Sequence, residues 1–146
     1  MKIIDVNVLL YIVNPDAEQH LAVRKWWEAV AASGQPLGFS WLVIIGFIRI
    51  STNRRAFYDP LTVQEALAYM DEWLALPNAR IVQEANDHWQ VVRDLLATVG
   101  TAGNLTSDAH LAALAMSHHA AVASCDADFL RFRQIRWENP LAALPT

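Results

Sequence analysis

Lys2-Ile3-Ile4-Asp5-Val6-Asn7-Val8-Leu9-Leu10-Tyr11-Ile12-Val13 opens the chain with a short apolar run, a polar break at Asp5 and Asn7, and a longer apolar run. Lys2 to Ile4 reads as a short buried strand, and Val8 to Val13 as the helix it feeds, so Asp5 marks a strand-to-helix junction. The same alternation recurs downstream. Leu37 to Phe39 reads as a strand, and Ser40 is placed to cap a helix running through Ile50. Ala79 to Val82 is a third strand, followed by Asn86 as the cap of a helix from Asp87 to about Val99, closed by Gly100. Ala121 to Ser124 is a fourth, with Asp126 just past its end.

Helices fill the intervals. Pro15 and Asp16 open a helical stretch to about Ala32, ended by Gly34 and Pro36. Thr62-Val63-Gln64-Glu65 has the capping-box form, a hydroxyl that can accept from the N3 amide and a glutamate that reaches back, and its helix runs to Leu76 before Pro77 stops it. After the loop Thr101 to Asn104, a cap near Thr106 or Ser107 starts an Ala/Leu-rich helix to His118, with Asp108 in its first turn. Short strands alternating with longer helices predict a parallel α/β sheet covered on both faces, because parallel neighbours need crossover connections. Such sheets bind ligands beyond the carboxyl ends of their strands, where Asp5 and Asp126 both fall.

At 146 residues the chain suits one domain spanning residues 1–146. Its 54% hydrophobic and 18% charged residues fall on the apolar side of soluble domains, where roughly 25% is charged. With six Trp, this predicts surface covered by a partner or a second copy. A single cysteine, Cys125, forms no internal disulfide and suits a reducing cytoplasm. Asp5 interrupts the N-terminal apolar run with no cleavage site after it, so a signal peptide is not expected. The apolar stretch Leu37 to Ile48 ends at Arg49, short of the roughly 20 residues that span a bilayer, so no membrane segment is expected. The helix within that stretch is apolar almost all round and should be buried or half of an interface. A net charge of −4 argues against bulk electrostatic binding of nucleic acid.

Asp5, Asp108, Asp126 and Asp128 each sit at an element junction. One alone reads as a helix cap, since a carboxylate meets the positive end of the helix dipole favourably. Several in one crevice repel each other unless a cation neutralises them. Oxygen-only ligands favour Mg²⁺ or Mn²⁺ over zinc. Such ions activate bound water and stabilise the leaving oxygen of a phosphodiester, which points to hydrolysis of a nucleic-acid backbone.

Three of these positions lie in longer motifs. Ile3-Ile4-Asp5-Val6-Asn7-Val8-Leu9-Leu10 resembles the first acidic motif of PIN domains. Asn104-Leu105-Thr106-Ser107-Asp108-Ala109-His110-Leu111-Ala112-Ala113-Leu114-Ala115 resembles the third, and Ser124-Cys125-Asp126-Ala127-Asp128-Phe129 the last. Their order and spacing match across essentially the whole chain, and Phe47-Ile48-Arg49-Ile50-Ser51-Thr52-Asn53 is similar to a VapC-like toxin subgroup. The resemblance implies a three-layer α/β/α sandwich with a central parallel sheet, usually dimeric. It implies a metal-dependent endoribonuclease, the toxin of a type II toxin–antitoxin module, that cleaves RNA with Mg²⁺ or Mn²⁺ and is inhibited by a VapB-type antitoxin. Carried over by position, Asp5 and Asp108 bind metal directly, Asp126 completes the cluster, Asp128 assists at its edge, and Ser124 stands where the family commonly has a threonine that orients water or metal.

One departure bears on activity. The family usually places a glutamate in the helix after the second strand; Gly46 stands there, and no acidic residue occurs between Glu28 and Asp59. Fewer carboxylates predict weaker metal binding, and they keep open a degenerate, noncatalytic binding module as the alternative. A third reading, a phosphatase using Asp5 as nucleophile, expects Asp-x-Asp where this chain has Asn7.

Nine of the eleven cations are Arg. Arg49, Arg54 and Arg55 are candidate RNA-phosphate contacts beside the acidic crevice, against the plain reading of solvated or internally paired groups. Arg131, Arg133 and Arg136 form a second basic cluster. His110 is expected to be structural rather than a substrate contact, His118 and His119 to close a helix, and His20 and His88 to lack ligand-spaced companions. Cys125 reads as a small buried residue, and Trp41, Phe47 and Trp137 as core or interface rather than base-stacking platforms.

Overall fold

The computed structural model describes residues 1–142. Five strands, β1 (Lys2–Ile4), β2 (Leu37–Phe39), β3 (Ala79–Ile81), β4 (Ala121–Ala123) and β5 (Arg136–Glu138), alternate with six helices. These are α1 (Val6–Val13), α2 (His20–Ala32), α3 (Trp41–Ser51), α4 (Val63–Leu74), α5 (His88–Val99) and α6 (Leu105–Ser117). The sheet runs β3-β2-β1-β4-β5 with every pair parallel, and helices cover both of its faces in the three-layer α/β/α arrangement expected. Strand order reverses direction at β1: β2 and β3 extend to one side, β4 and β5 to the other. That switch point opens a crevice beyond the carboxyl ends of β1 and β4. Because Ile4 is in register with Ala123, the next residues, Asp5 and Ser124, emerge side by side.

Each strand is three residues long, so the sheet depends on what packs against it. Ile3, Ile4, Leu37, Phe39, Val122 and Ala123 are buried with almost no exposure. Helix α1 packs on α2 and α3, α3 packs on α4, and α5 packs on α6, which lies against β1 and β4. An aromatic group fills the core: Trp27 meets Phe39 edge-on at 6.4 Å between ring centroids and Trp73 at 6.0 Å, and Phe47 meets Trp73 at 4.9 Å. Edge-to-face rings of this kind add to their burial because the positive edge of one meets the negative face of the next. Phe47 is therefore core, as its apolar neighbours in sequence suggest.

Several boundaries move. Helix α2 begins at His20, not at Pro15 or Asp16, because the Asn14 side chain accepts from the Asp16 amide at 3.2 Å and turns the chain first. Helix α6 begins at Leu105 after Asn104, which places Thr106 and Ser107 inside the first turn rather than at the cap. Helix α5 begins at His88 after Asp87, one residue beyond the expected start. The capping box at Thr62 and Glu65 forms as read, with both reciprocal bonds present at 3.0 and 3.1 Å.

Strand β5 carries no local signal in the sequence. Arg136-Trp137-Glu138 is polar at both ends, and its placement comes from partners far away: Glu138 pairs with Lys2 and accepts from the Trp26 indole at 2.8 Å. Helix α3 is apolar all round but buries only one side, through Val43, Ile44, Gly46 and Phe47; Trp41 and Ile45 stay 52% and 62% exposed. Among the described residues no helix is long and apolar enough to cross a membrane.

Candidate active site

Asp5 caps α1, accepting from the Val6 amide at 2.7 Å through one carboxylate oxygen. Its other oxygen accepts from the Ser124 hydroxyl at 2.7 Å and from the Asn7 side-chain amide at 3.0 Å. The Asn7 amide also donates to Ser124 Oγ at 3.0 Å, while Asn7 Oδ1 accepts from the Cys125 amide at 3.0 Å. Asn7 thus clamps the end of β1 to the end of β4. Ser124, fully buried, additionally accepts from the Asp126 amide at 3.0 Å. Its hydroxyl sits at the centre of this network, and its backbone carbonyl takes the Trp137 indole at 2.9 Å.

Beyond Ser124 the chain enters a short 3-10 helix, Ala127–Arg131, capped by Asp126, whose carboxylate accepts from the Asp128 amide at 2.9 Å. That turn aims Asp126 and Asp128 across the crevice at Asp108, which projects from the first turn of α6. One carboxylate oxygen from each of Asp108, Asp126 and Asp128 lies within 4.8 Å of the others. Asp5 is buried and near enough to act electrostatically on Asp108 and to feel Asp126. The four sequence candidates therefore converge, with a division that spacing did not give: three carboxylates reach into one point, and Asp5 spends both oxygens on hydrogen bonds within the protein.

The electrostatics follow from this crowding. Burial, then the negative charges of Asp5, Asp126 and Asp128, push the Asp108 carboxyl up to about 7. Asp5 is also raised, chiefly by burial, with the bonds from Ser124 and Val6 working in the opposite direction. Among the described residues no Lys or Arg forms an ion pair with any of the four. A carboxylate cluster without an internal counter-cation is a donor set suited to a hard divalent cation, which would favour the charged form of all its ligands.

Gly46 lies in α3 facing α1: a Cβ built there would meet Val6 Cγ2 at 3.6 Å, an ordinary contact. The position where the family usually carries glutamate is thus next to the residue that follows Asp5, and it is filled by neither a carboxylate nor a bulky side chain. Arg49, Arg54 and Arg55 are exposed and form no ion pair among the described residues. Arg131 ends the 3-10 helix and Arg136 opens β5, so the second basic cluster is divided between elements on the far side of β4.

Several other candidates resolve into structural roles. Burial pushes the Cys125 thiol up to about 12, so it stays protonated and is no nucleophile. His118 caps α6 and bonds to the Gln83 carbonyl at 2.9 Å, and His20 bonds to the Tyr11 carbonyl at 2.8 Å. His110 faces away from the acidic cluster toward His88, with Nδ1 and Nε2 of the two rings 2.9 Å apart. This pair, 22 residues apart on different helices, had no sequence signal. A cleft of about 540 Å³ between α2 and α4, lined by Trp27, Tyr69 and Trp73 among others, includes none of the four aspartates.

Comparison with known proteins identifies the family. A PIN domain family model matches residues 2–135. The chain is 40% identical over 144 residues to the ribonuclease VapC37 of Mycobacterium tuberculosis, covering 99% of this chain and 100% of that one. It is 41% identical over 141 residues to the ribonuclease VapC43 of the same organism, covering 97% and 96% respectively. Among solved structures, the VapC20 toxin of M. tuberculosis, described as cleaving the sarcin-ricin loop, superposes with a TM-score of 0.67 at 17% identity over 93% of this chain and 99% of that one. The VapBC2 complex of Rickettsia felis, bound to a DNA fragment from its promoter, gives 0.68 at 15% identity over 94% and 97%. At those identities the structures report fold, whereas the family model and the near relatives, spanning almost the entire length, report kinship. A parallel sheet carrying aspartates at its β1 and β4 ends, with a third from α6, is thus the arrangement of a member of the PIN domain family, to which this chain belongs.

Proposed function

We propose that the protein is a metal-dependent endoribonuclease, the toxin of a toxin–antitoxin pair, and that residues 1–146 form one domain. The observation that carries the reading is the convergence of Asp108, Asp126 and Asp128 to within 4.8 Å of one another near the buried Asp5, with no Lys or Arg paired to them among the described residues. The relatives' designation as ribonucleases supports RNA as the polymer cleaved.

Asp108, Asp126 and Asp128 would hold Mg²⁺ or Mn²⁺, with Asp5 adding negative charge nearby. Bound there, such an ion supplies an activated water and neutralises charge on the phosphate. The protein's own contribution is positional. Asp5 and Asn7 fix Ser124, Ser124 fixes the Asp126 amide, and Asp126 fixes the turn that carries Asp128. Asp5, Asn7, Ser124 and Asp126 are thereby held in one geometry before substrate arrives, which limits reorganisation during reaction. Arg49, Arg54 and Arg55 would contact phosphates and offset the repulsion between an acidic crevice and a polyanion. A VapB-type antitoxin and a second copy of the chain are the partners we infer, supported by the toxin–antitoxin complexes among the structural neighbours and by exposed Leu21, Trp41, Leu42, Ile45 and Leu67. The cytoplasm is the proposed location.

Metal-dependent cleavage of RNA by the purified protein, lost on chelation and lost in Asp126→Asn and Asp5→Asn variants that still fold, is the expected result. Full activity in both variants refutes the site. Gly46 favours a second reading, a binding module that has lost catalysis; Mn²⁺ binding with no cleavage would select it. The aspartyl-phosphate reading is disfavoured because both Asp5 oxygens are buried and engaged.

A further inference from the structure

A cavity of about 270 Å³ adjoins the acidic cluster, between α1 and the turn that follows α3. Leu10, Tyr11, Asn14, Ile50, Ala56 and Phe57 line it, and Asn7 forms the wall it shares with the carboxylate site. Asn7 and Tyr11, four residues apart, share one face of α1, and Asn14 follows as the C-cap that ends it. Leu10, Ile50 and Phe57 give the cavity apolar walls, while its polar groups are few and open. Asn14 Oδ1 is held by the Asp16 amide, and among the described residues neither the Asn14 NH₂ nor the Tyr11 hydroxyl makes a hydrogen bond. Arg54 and Arg55 directly precede the lining residue Ala56 in sequence, and both are exposed and without ion-pair partners among the described residues.

We propose that this cavity receives one unpaired nucleobase of the RNA strand whose scissile phosphate lies at the Asp108–Asp126–Asp128 cluster, with Arg54 and Arg55 holding the flanking phosphates; the proposal rests on the nuclease reading above. Size selects the occupant: ligand pockets for drug-sized molecules begin at roughly 300 Å³, and this one falls just below that range. A flat heteroaromatic ring needs apolar faces and a few edge partners, which is the inventory present. Sequence-specific RNA recognition depends on splayed, single-stranded bases against aromatic side chains, because A-form duplex hides its bases in a narrow groove. With Asn14 oriented as a donor, the base edge that it reads must carry an acceptor, a carbonyl oxygen or ring nitrogen.

The test is binding and cleavage of fluorescein-labelled short single-stranded RNA and of the same strand made abasic. In an Asp126→Asn background, Ala56→Trp fills the cavity from an exposed position that the fold does not need. Affinity for the intact strand should fall on the order of tenfold, as when one stacked base is lost, with the abasic strand unaffected. In the cleaving protein, Asn14→Asp keeps the acceptor for Asp16 but removes the donor, and should change the base preferred at one position beside the cut. Equal affinities in parent and Ala56→Trp, equal losses for both strands, an unchanged preference in Asn14→Asp, or no RNA binding by the parent would each overturn the pocket. The nuclease reading fails separately, by an absence of metal-dependent cleavage in the unsubstituted chain, and the binding arms still decide the pocket in that event.

Discussion

Replacing Asp108 by Asn should make the metal-free protein more stable while removing its response to metal. In the fold the Asp108 carboxyl titrates at about 7 against an ordinary 3.8, because it is half-buried and faces three other carboxylates. At about 1.4 kcal/mol per tenfold change in protonation the gap is worth at most ~4 kcal/mol, and exposure of half the group to water and salt reduces this to about 1–2 kcal/mol. The sign follows from proton linkage: a raised folded-state value means that the native protein holds a proton that the unfolded chain has released. Stability is therefore present at low pH and lost as pH rises from about 4 to about 7. An amide at position 108 carries no charge at any of these pH values and removes that slope. At pH 8 in chelator, Asp108→Asn should melt about 3–6 °C above the parent, and the difference should vanish near pH 4. Mn²⁺ at a hundredfold excess over its dissociation constant should stabilise the parent by about 2.7 kcal/mol and leave the variant almost unmoved. Thermal and urea melts across pH, with and without Mn²⁺, read all of this. A variant no more stable than the parent at pH 8, or one stabilised equally by Mn²⁺, would refute the account of a like-charged cluster awaiting a cation.

Other expectations follow from the same geometry. Mn²⁺ affinity, measured by calorimetry, should fall as pH drops through about 7, because protonated Asp108 cannot serve as ligand until it releases its proton; a flat profile between pH 6 and 8 would argue against Asp108 as ligand. Ser124→Ala removes the buried hydroxyl that joins Asp5, Asn7 and the Asp126 amide, and should cost about 1–3 kcal/mol in urea unfolding together with metal affinity. Gly46→Ala should instead stabilise by about 0.5–1 kcal/mol, since the added methyl meets only Val6 at 3.6 Å within a regular helix; a loss of stability would show that α3 and α1 are closer than that distance allows.

Much of the fold is local physics and can be read along the chain. Asp5 after three apolar residues, Ser40 before an apolar helix, the Thr62–Glu65 box and Gly100 in its left-handed turn each fix an element end through neighbours a few residues away. Alternation of strand and helix then leaves a parallel sheet as the way to bury both kinds of apolar face. Asp5 and Asp126 fall at strand ends for the same reason, so the place of the site was legible even before its geometry was.

Tertiary structure decided what depends on distant partners. Arg136-Trp137-Glu138 becomes a strand only because β4, Lys2 and Trp26 satisfy it. Asp128, expected at the margin, is carried into the central trio by a 3-10 turn whose cap is another member of that trio. His88 meets His110, and the cavity beside Asn7 closes, because helices remote in sequence pack together. Capping and periodicity act over a few residues, whereas the charge on Asp108 is set by burial and by carboxylates that only the folded sheet brings near it.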